Sequence, residues 1–193
     1  MSSAALRPPV GVLLAAGAGR RAGGPKALRR HADGLTWVAT AVRTLARGGC
    51  APVLVTVGCR AGDVRAELDA ERDHVEVVEV IDWDTGLAAS VRAGLIAAAL
   101  TEADAAVIHL VDLPDVGPAV VRRVIAGAGA GSLARASYEG RPGHPVMLGR
   151  AHLEPVLAGL QGDQGAGAYL RATPGVRLIE CGDLAGGADV DHG

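Results

Sequence analysis

Val10-Gly11-Val12-Leu13-Leu14-Ala15-Ala16-Gly17-Ala18-Gly19-Arg20-Arg21-Ala22-Gly23-Gly24-Pro25-Lys26-Ala27-Leu28 is the stretch around which the chain is organised. Its first half is an apolar run closed by turn residues, the pattern of a strand buried in a parallel sheet. That run empties into a loop holding four glycines, two arginines and one lysine. Glycine lets a backbone approach a ligand closely and take positive φ. Successive N–H groups in such a loop form a concavity suited to phosphate oxygens. Arg20 adds a bidentate fork and Lys26 a point charge. A tight turn would account for the glycines but not for these two cations. The loop reads as a cradle for a polyphosphate.

Two familiar glycine-loop chemistries fit it poorly. A Walker A loop needs Gly-Lys-Ser/Thr, because the hydroxyl holds magnesium. Here Pro25 separates Gly24 from Lys26, and Ala27 follows. Gly17-x-Gly19-x-x-Ala22 satisfies the dinucleotide fingerprint letter by letter. That fingerprint, however, requires a helix to begin at once, and Gly23-Gly24-Pro25 would break one. The following strand also ends in Val57-Gly58 rather than in the acidic residue that holds a ribose.

Leu14-Ala15-Ala16-Gly17-Ala18-Gly19-Arg20-Arg21-Ala22-Gly23-Gly24-Pro25-Lys26 instead resembles the nucleotidyltransferase signature Leu-Ala-x-Gly-x-Gly-x-Arg-x-Gly-x-Pro-Lys, with one gap residue. Within that group it is most similar to the molybdenum-cofactor cytidylyltransferase branch of the MobA-like enzymes. The resemblance implies a Rossmann-like, mostly parallel but mixed sheet with helices on both faces, the nucleotidyltransferase (GT-A-like) architecture. It also implies transfer of a nucleoside monophosphate from a triphosphate, CTP favoured, to a phosphorylated acceptor such as the molybdopterin cofactor, with release of pyrophosphate and with Mg2+ as cofactor. A recipient molybdoenzyme or its chaperone would be the protein partner.

The rest of the chain reads in agreement. Thr36 is placed to cap a helix running to about Arg47, ended by Gly48-Gly49. Residues 52–57 read as a buried strand, 75–80 and 105–111 as the next strands, and 61–70, 87–100 and a stretch opened by Gly117-Pro118 as helices. Such alternation means βαβ units with helices on both faces. Ligands of such sheets sit beyond the carboxyl ends of the strands. The glycine loop, residues 82–90 and Asp112 all follow strands and are expected on that one edge. In the last third, 133–138 and 145–148 read as short strands around residues 139–144, 151–159 and 166–172 as helices, and 176–180 as a final strand. Residues 1–193 are expected to form one nucleotidyltransferase domain.

Composition narrows the partners. With a formal charge of −2 and 2% aromatic residues, the chain offers neither an electrostatic footprint for nucleic acid nor a platform for stacked bases. No uncharged apolar stretch is long enough to span a bilayer. The odd number of cysteines, Cys50, Cys59 and Cys181, without metal-type spacing suits reduced thiols. A cytoplasmic protein with small-molecule substrates is expected.

Nucleotidyl transfer asks a protein chiefly for positioning and charge neutralisation. Asp112, just past an apolar strand and followed by Leu113-Pro114, stands where a magnesium ligand belongs. By resemblance it matches the family's Asp-Met-Pro. Arg20 and Lys26 would neutralise charge on the leaving pyrophosphate, Lys26 reaching into a solvated cleft. Ala15, Ala16, Gly17 and Gly19 would line the nucleotide. Residues 82–91 resemble the family segment Asn-x-x-Trp-x-x-Gly-x-x-x-Ser, which puts Gly86 and Ser90 near base and ribose. Gly162-Asp163-Gln164-Gly165-Ala166 resembles the family's Gly-Asp-x-Gly-Ala, often followed by Arg, where this chain has Gly167. Asp189-Val190-Asp191 resembles the family's Asp-Ile-Asp, making Asp191 a second metal ligand. Other readings stay open: a guanylyl- or sugar/polyol-phosphate nucleotidyltransferase, an NAD(P)-dependent oxidoreductase, or a nucleotide-binding protein without catalysis.

Overall fold

The computed structural model describes residues 7–20 and 23–190. β1 (Val10–Leu14) and β2 (Val53–Val57) are buried along their whole length. They lie side by side in a seven-stranded sheet of order β3-β2-β1-β4-β6-β5-β7. The other strands are β3 (Val75–Glu79), β4 (Ala105–Leu110), β5 (Leu133–Tyr138), β6 (Arg141–Gly149) and β7 (Arg177–Glu180). β6 runs antiparallel to both β4 and β5, while the other neighbouring pairs are parallel. The sheet is therefore mixed by one reversed strand, as the sequence leads one to expect.

Burial explains the order. The central strands are valine, leucine and isoleucine on both faces, which suits a sheet covered by helices on either side. The edge strands β3 and β7 carry exposed charges, Glu76 and Glu79 on one and Arg177 and Glu180 on the other, which blunt edge-to-edge pairing. α1 (Trp37–Gly48) and α4 (Pro118–Ile125) cover one face, where Val38, Val42, Leu45, Val121 and Val124 pack on Leu13, Val55 and Val107. α2 (Ala61–Glu67) joins that layer through Val64. α3 (Leu87–Leu100), α5 (Leu153–Gly159) and α6 (Gly167–Ala172) cover the other, through Val91, Leu95, Val156 and Leu170.

Three local expectations need correction. Residues 139–144 do not form a loop: β5 turns into β6 through Glu139 and Gly140 alone, at φ of 52° and 76°. Two positive φ values make the tight turn that matches strand twist, so β6 begins at Arg141 despite Pro142 and Gly143. Thr36 sits at the N-cap of α1, but its hydroxyl makes no capping hydrogen bond and is buried without a partner. The segment read as one helix over 61–70 is α2 followed by a separate single turn of 3-10 helix, Asp69–Glu71. Among the described residues no helix is long and apolar enough to cross a membrane.

α3 lies close on β1 because Gly94 has no side chain. A Cβ there would stand 2.5 Å from Val12 Cγ1 and 3.3 Å from Thr56 Cγ2. Both neighbours belong to central strands with nowhere to retreat. Gly94→Val gains little in helix propensity and overpacks this seam. It should lower unfolding free energy by about 2–3 kcal/mol, read as a lower urea midpoint at unchanged slope.

Candidate functional site

At the carboxyl edge of β1 and β4 a cleft of about 430 Å3 is lined by Ala16, Gly17, Gly19, Arg20, Gly86, Ser90 and Asp112, with Trp83, Asp84 and Asp163. The strand-end segments that the sequence assigned to one edge do converge there. The glycine loop earns its residues locally. Gly19 has φ of 56°, and a Cβ on it would lie 1.9 Å from the Gly24 carbonyl oxygen. The Gly24 N–H donates to Gly19 O at 3.2 Å, closing the loop on itself. Among the described residues no α-helix follows β1 directly: Lys26–Leu28 is a turn of 3-10 helix, and α1 begins only at Trp37. The helix that a dinucleotide fingerprint places beneath a pyrophosphate is therefore not present after Gly19 among the described residues.

The predicted residues fall into distinct places. Ala16 lines the cleft with its side chain 2% exposed, and its carbonyl accepts from Cys59 N at 3.0 Å. Ala15 lies one layer deeper, its N–H directed at Thr56 O at 3.2 Å. Gly86 has φ of 127°, and a Cβ on it would stand 2.5 Å from Gly162 O. That contact joins the start of α3 to residues 162–163, since Ala88 N donates to Gly162 O at 2.9 Å. Ser90 is buried at the cleft wall, 6% exposed. Trp83 packs its Cβ and ring against Gly58, where an added Cβ would meet them at 2.5 Å.

Lys26 does not project into solvent. Its Nζ donates to Asp112 Oδ2 at 2.9 Å, with side chains only 16% and 20% exposed. The ammonium stands behind the carboxylate that lines the cleft. The loop carrying Asp112 is held by the end of the chain: Val190 N donates to Asp112 O at 3.1 Å, and Gly186 N and Gly187 N donate to Asp115 Oδ2 at 2.8 and 3.0 Å. Asp191 lies outside the described residues. Among the described residues no group of three His, Cys, Asp or Glu side chains is placed to hold a metal by itself. The arrangement suits an ion that takes one or two carboxylates and completes its shell with substrate oxygens.

A second cavity of about 170 Å3 opens off the first, sharing Leu14, Leu87 and Leu110 as walls. Its lining is apolar apart from Arg135 and His144. Sequence reasoning missed Arg135, since a charged residue in an alternating strand pattern carries no signal of its own. It also passed over Asp84 and Asp163, although Asp163 belongs to the quoted Gly162-Asp163 segment.

Seven-stranded mixed topology, a self-closing glycine loop after β1 and a carboxylate at the end of β4 define the class of nucleotide-transferring α/β domains. Residues 11–177 match the model of the MobA-like NTP transferase domain, and the chain belongs to that family. It is similar to a protein named nicotine blue oxidoreductase from Paenarthrobacter nicotinovorans, 39% identical over 191 residues that cover 94% of this chain and 91% of that one. Among solved structures it is similar to Rv0371c from Mycobacterium tuberculosis, with a TM-score of 0.80 and 31% identity over 98% of this chain and 95% of that one. A second structure of Rv0371c is a complex with manganese, at a TM-score of 0.72 and 30% identity over 90% and 88% of the two chains. A nucleotidyl transferase from Methanothermobacter thermautotroptrophicus superposes with a TM-score of 0.79 at 25% identity over 96% and 92%.

Two histidines near the site are held neutral. Burial pushes His109 down to about 3, with nearby His144 adding to the effect. Burial likewise takes His144 down to about 4; the Arg135 cation lowers it further and Asp112 opposes. In the unfolded chain both rings take up protons near pH 6.5. Between there and the folded values the unfolded state binds more protons, so stability is complete above about pH 6.5 and falls as pH drops through that window. Urea midpoints measured from about pH 7 down to pH 4.5 should decline steadily. His109→Leu, which removes one of the two rings, should flatten the decline.

Proposed function

We propose that this chain transfers a nucleoside monophosphate, with CTP as the favoured donor, to a phosphorylated acceptor of the molybdopterin type in a magnesium-dependent reaction. The observation that carries the reading is the composition of the cleft: a glycine-loop backbone, Arg20, Ser90 and Asp112 face one space, and an apolar cavity opens from it. A phosphate oxygen of the acceptor would attack the α-phosphorus of the triphosphate, and the bond to the leaving pyrophosphate would break. No protein nucleophile is needed. Gly17 and Gly19 present backbone to the phosphates, Arg20 neutralises charge that grows on the departing oxygens, and Lys26 fixes the Asp112 carboxylate.

Charge argues for a metal. Among the described residues the lining carries Asp84, Asp112 and Asp163 with the Arg20 guanidinium, and Asp112 is already paired with Lys26. A bare triphosphate would meet like charge there, and a divalent ion bound with it removes that conflict. Asp112, with Asp191, would hold the ion, whose chemistry is to neutralise phosphate charge and align the oxygens.

One observation favours a second reading, that of a nicotinamide-dependent oxidoreductase: the relative at 39% identity carries an oxidoreductase name. The two readings separate in one experiment. Thermal shift with each of the four triphosphates, with and without magnesium, should show the largest rise for CTP with magnesium, growing with the logarithm of its concentration. A rise with NADH or NADPH in the absence of magnesium, and none with any triphosphate, would replace the first reading by the second. A triphosphate that binds normally but yields no pyrophosphate with any acceptor would leave a binding protein.

Lys26→Ala tests the paired residues. It should cut the rate constant by about two to three orders of magnitude, the scale for losing one charge-stabilising group. Because the Lys26–Asp112 pair is largely buried, the same change leaves a carboxylate without its cation and should cost about 1–3 kcal/mol of stability. Turnover is measured by pyrophosphate release and stability by urea titration. A variant that melts earlier with turnover intact would make Lys26 a structural residue only.

A further inference from the structure

On the face of the sheet covered by α1 and α4, a cavity of about 620 Å3 opens between the loop before α1, α1 itself and the segment that follows Asp112. Among the described residues it shares no wall with the nucleotide cleft. Thr40, Arg43, Thr44 and Arg47 line it from α1, at spacings of three and four that put them on one side of the helix. Hydroxyl and guanidinium groups therefore make one wall. Pro114, Val116 and Pro118 make the wall opposite, with Leu35 from the loop. Arg43 is already paired, its Nε donating to Glu71 Oε1 at 2.8 Å. Asp33 Oδ1 accepts from Leu35 N at 3.0 Å in a local turn. Arg47 makes no ion pair among the described residues.

The cavity adjoins a void of about 10 Å3, room for about one water-sized sphere. The two share His31, Thr40, Thr44, Pro114 and Val116. Three residues lining the void carry a buried polar atom with no hydrogen-bond partner among the described residues: His31 Nε2, Thr40 Oγ1 and His109 Nδ1. Buried polar atoms are almost always paired, and one left unpaired costs free energy. Three of them around one void, beside a wall of donors, call for a partner from outside the chain. A neutral imidazole can give one hydrogen bond and take another, and a hydroxyl answers both. Thr40 and Arg47 are seven residues apart, about 10 Å along the helix axis. Long side chains on a helix lean toward its N-terminus, which shortens that span. One ring with a substituent at each end bridges it.

We propose that this cavity is a second small-molecule site, which takes a ring compound bearing a hydroxyl at one end and a carboxylate at the other. The hydroxyl enters the void and meets His31, Thr40 and His109. The ring lies against Leu35, Pro114, Val116 and Pro118, and its burial supplies affinity. The carboxylate meets the Arg47 guanidinium, whose fork matches it. With Asp33 on the same wall, one unpaired guanidinium balances a single negative charge better than the two of a phosphate monoester. Val111 and Leu113, which flank Asp112, line the void, so an occupant rests against the segment that carries that carboxylate. The site does not depend on which reaction the cleft performs.

4-Hydroxybenzoate serves as the probe, with benzoate lacking the hydroxyl and methyl 4-hydroxybenzoate lacking the charge. Titration calorimetry on the full chain should show saturable binding of 4-hydroxybenzoate and weaker binding of the other two. Arg47→Met, at an exposed position, keeps the apolar stem and removes the charge. It should weaken 4-hydroxybenzoate about tenfold and leave the methyl ester unchanged. Arg47→Lys should retain part of the affinity. Thr40→Val removes one partner in the void and should narrow the preference for 4-hydroxybenzoate over benzoate. Gly117 is extended at φ −94°, and a Cβ there would meet no heavy atom within 4 Å. Gly117→Leu should therefore fold, with melting temperature as the check, and weaken all three probes by narrowing the cavity. Arg20→Ala and saturating CTP with magnesium should both leave 4-hydroxybenzoate binding unchanged. Absence of saturable binding to the wild-type chain overturns the proposal and leaves the void to a water molecule. So does binding that keeps its full strength in Arg47→Met, or binding that CTP with magnesium displaces and Arg20→Ala abolishes.

Discussion

A 2.9 Å ion pair between Lys26 Nζ and Asp112 Oδ2 ties together two loops that are 86 residues apart in the chain. Both loops leave the sheet at the same edge, because β1 and β4 are adjacent and parallel. A parallel sheet ends every such strand in backbone groups that lose their ladder partners together. Those ends must be satisfied by loops, by one another or by a ligand. Here the glycine loop satisfies part of its own backbone through Gly24 N and Gly19 O, and the Asp112 loop satisfies part of its own through Val190 N. What is left unspent faces the cleft. The ion pair holds the two half-satisfied edges in one geometry without filling the space between them.

Much of this was legible from residues alone, and the reasons are local. The helix over 87–100 coincides with α3 because an uninterrupted apolar and alanine-rich stretch follows a glycine with the positive φ that only glycine adopts freely. The strand over 133–138 coincides with β5 because its apolar positions are bounded by glycines and a turn. The convergence of Gly17, Gly86, Ser90 and Asp112 followed from topology, since the chain passes through strands that all run the same way to those points. Other features were hidden because they depend on pairs distant in sequence. Nothing near Lys26 announces that its partner is Asp112. Pro142 and Gly143 argue against a strand on local grounds, yet β6 includes them because the Glu139-Gly140 turn sets its register against β5. Tertiary pairing outweighed propensity there.

The nucleotide side and the second cavity divide the chemistry between them. In the cleft, backbone and carboxylates dominate, which suits the recognition of phosphate and its accompanying cation proposed above. In the second cavity, leucine, valine and isoleucine side chains dominate, and the polar groups are a neutral histidine and the Arg135 guanidinium. His144 kept neutral by burial avoids adding a second positive charge beside Arg135. The helix α6 that closes this cavity is short and attached through Leu170.

That division bears on how one fold can carry differently named relatives. A fold supplies positions, and chemistry follows from the groups placed at them. The glycine loop and Asp112 lie on segments that leave the adjacent parallel strands β1 and β4. The second cavity lies between the ends of β1, β4, β5 and β6 and the helices α3 and α6, with Leu14 and Leu110 shared with the cleft. An oxidoreductase name on one relative and a transferase name on another are compatible with a shared glycine-loop cleft if the cavity beside it is what diverges.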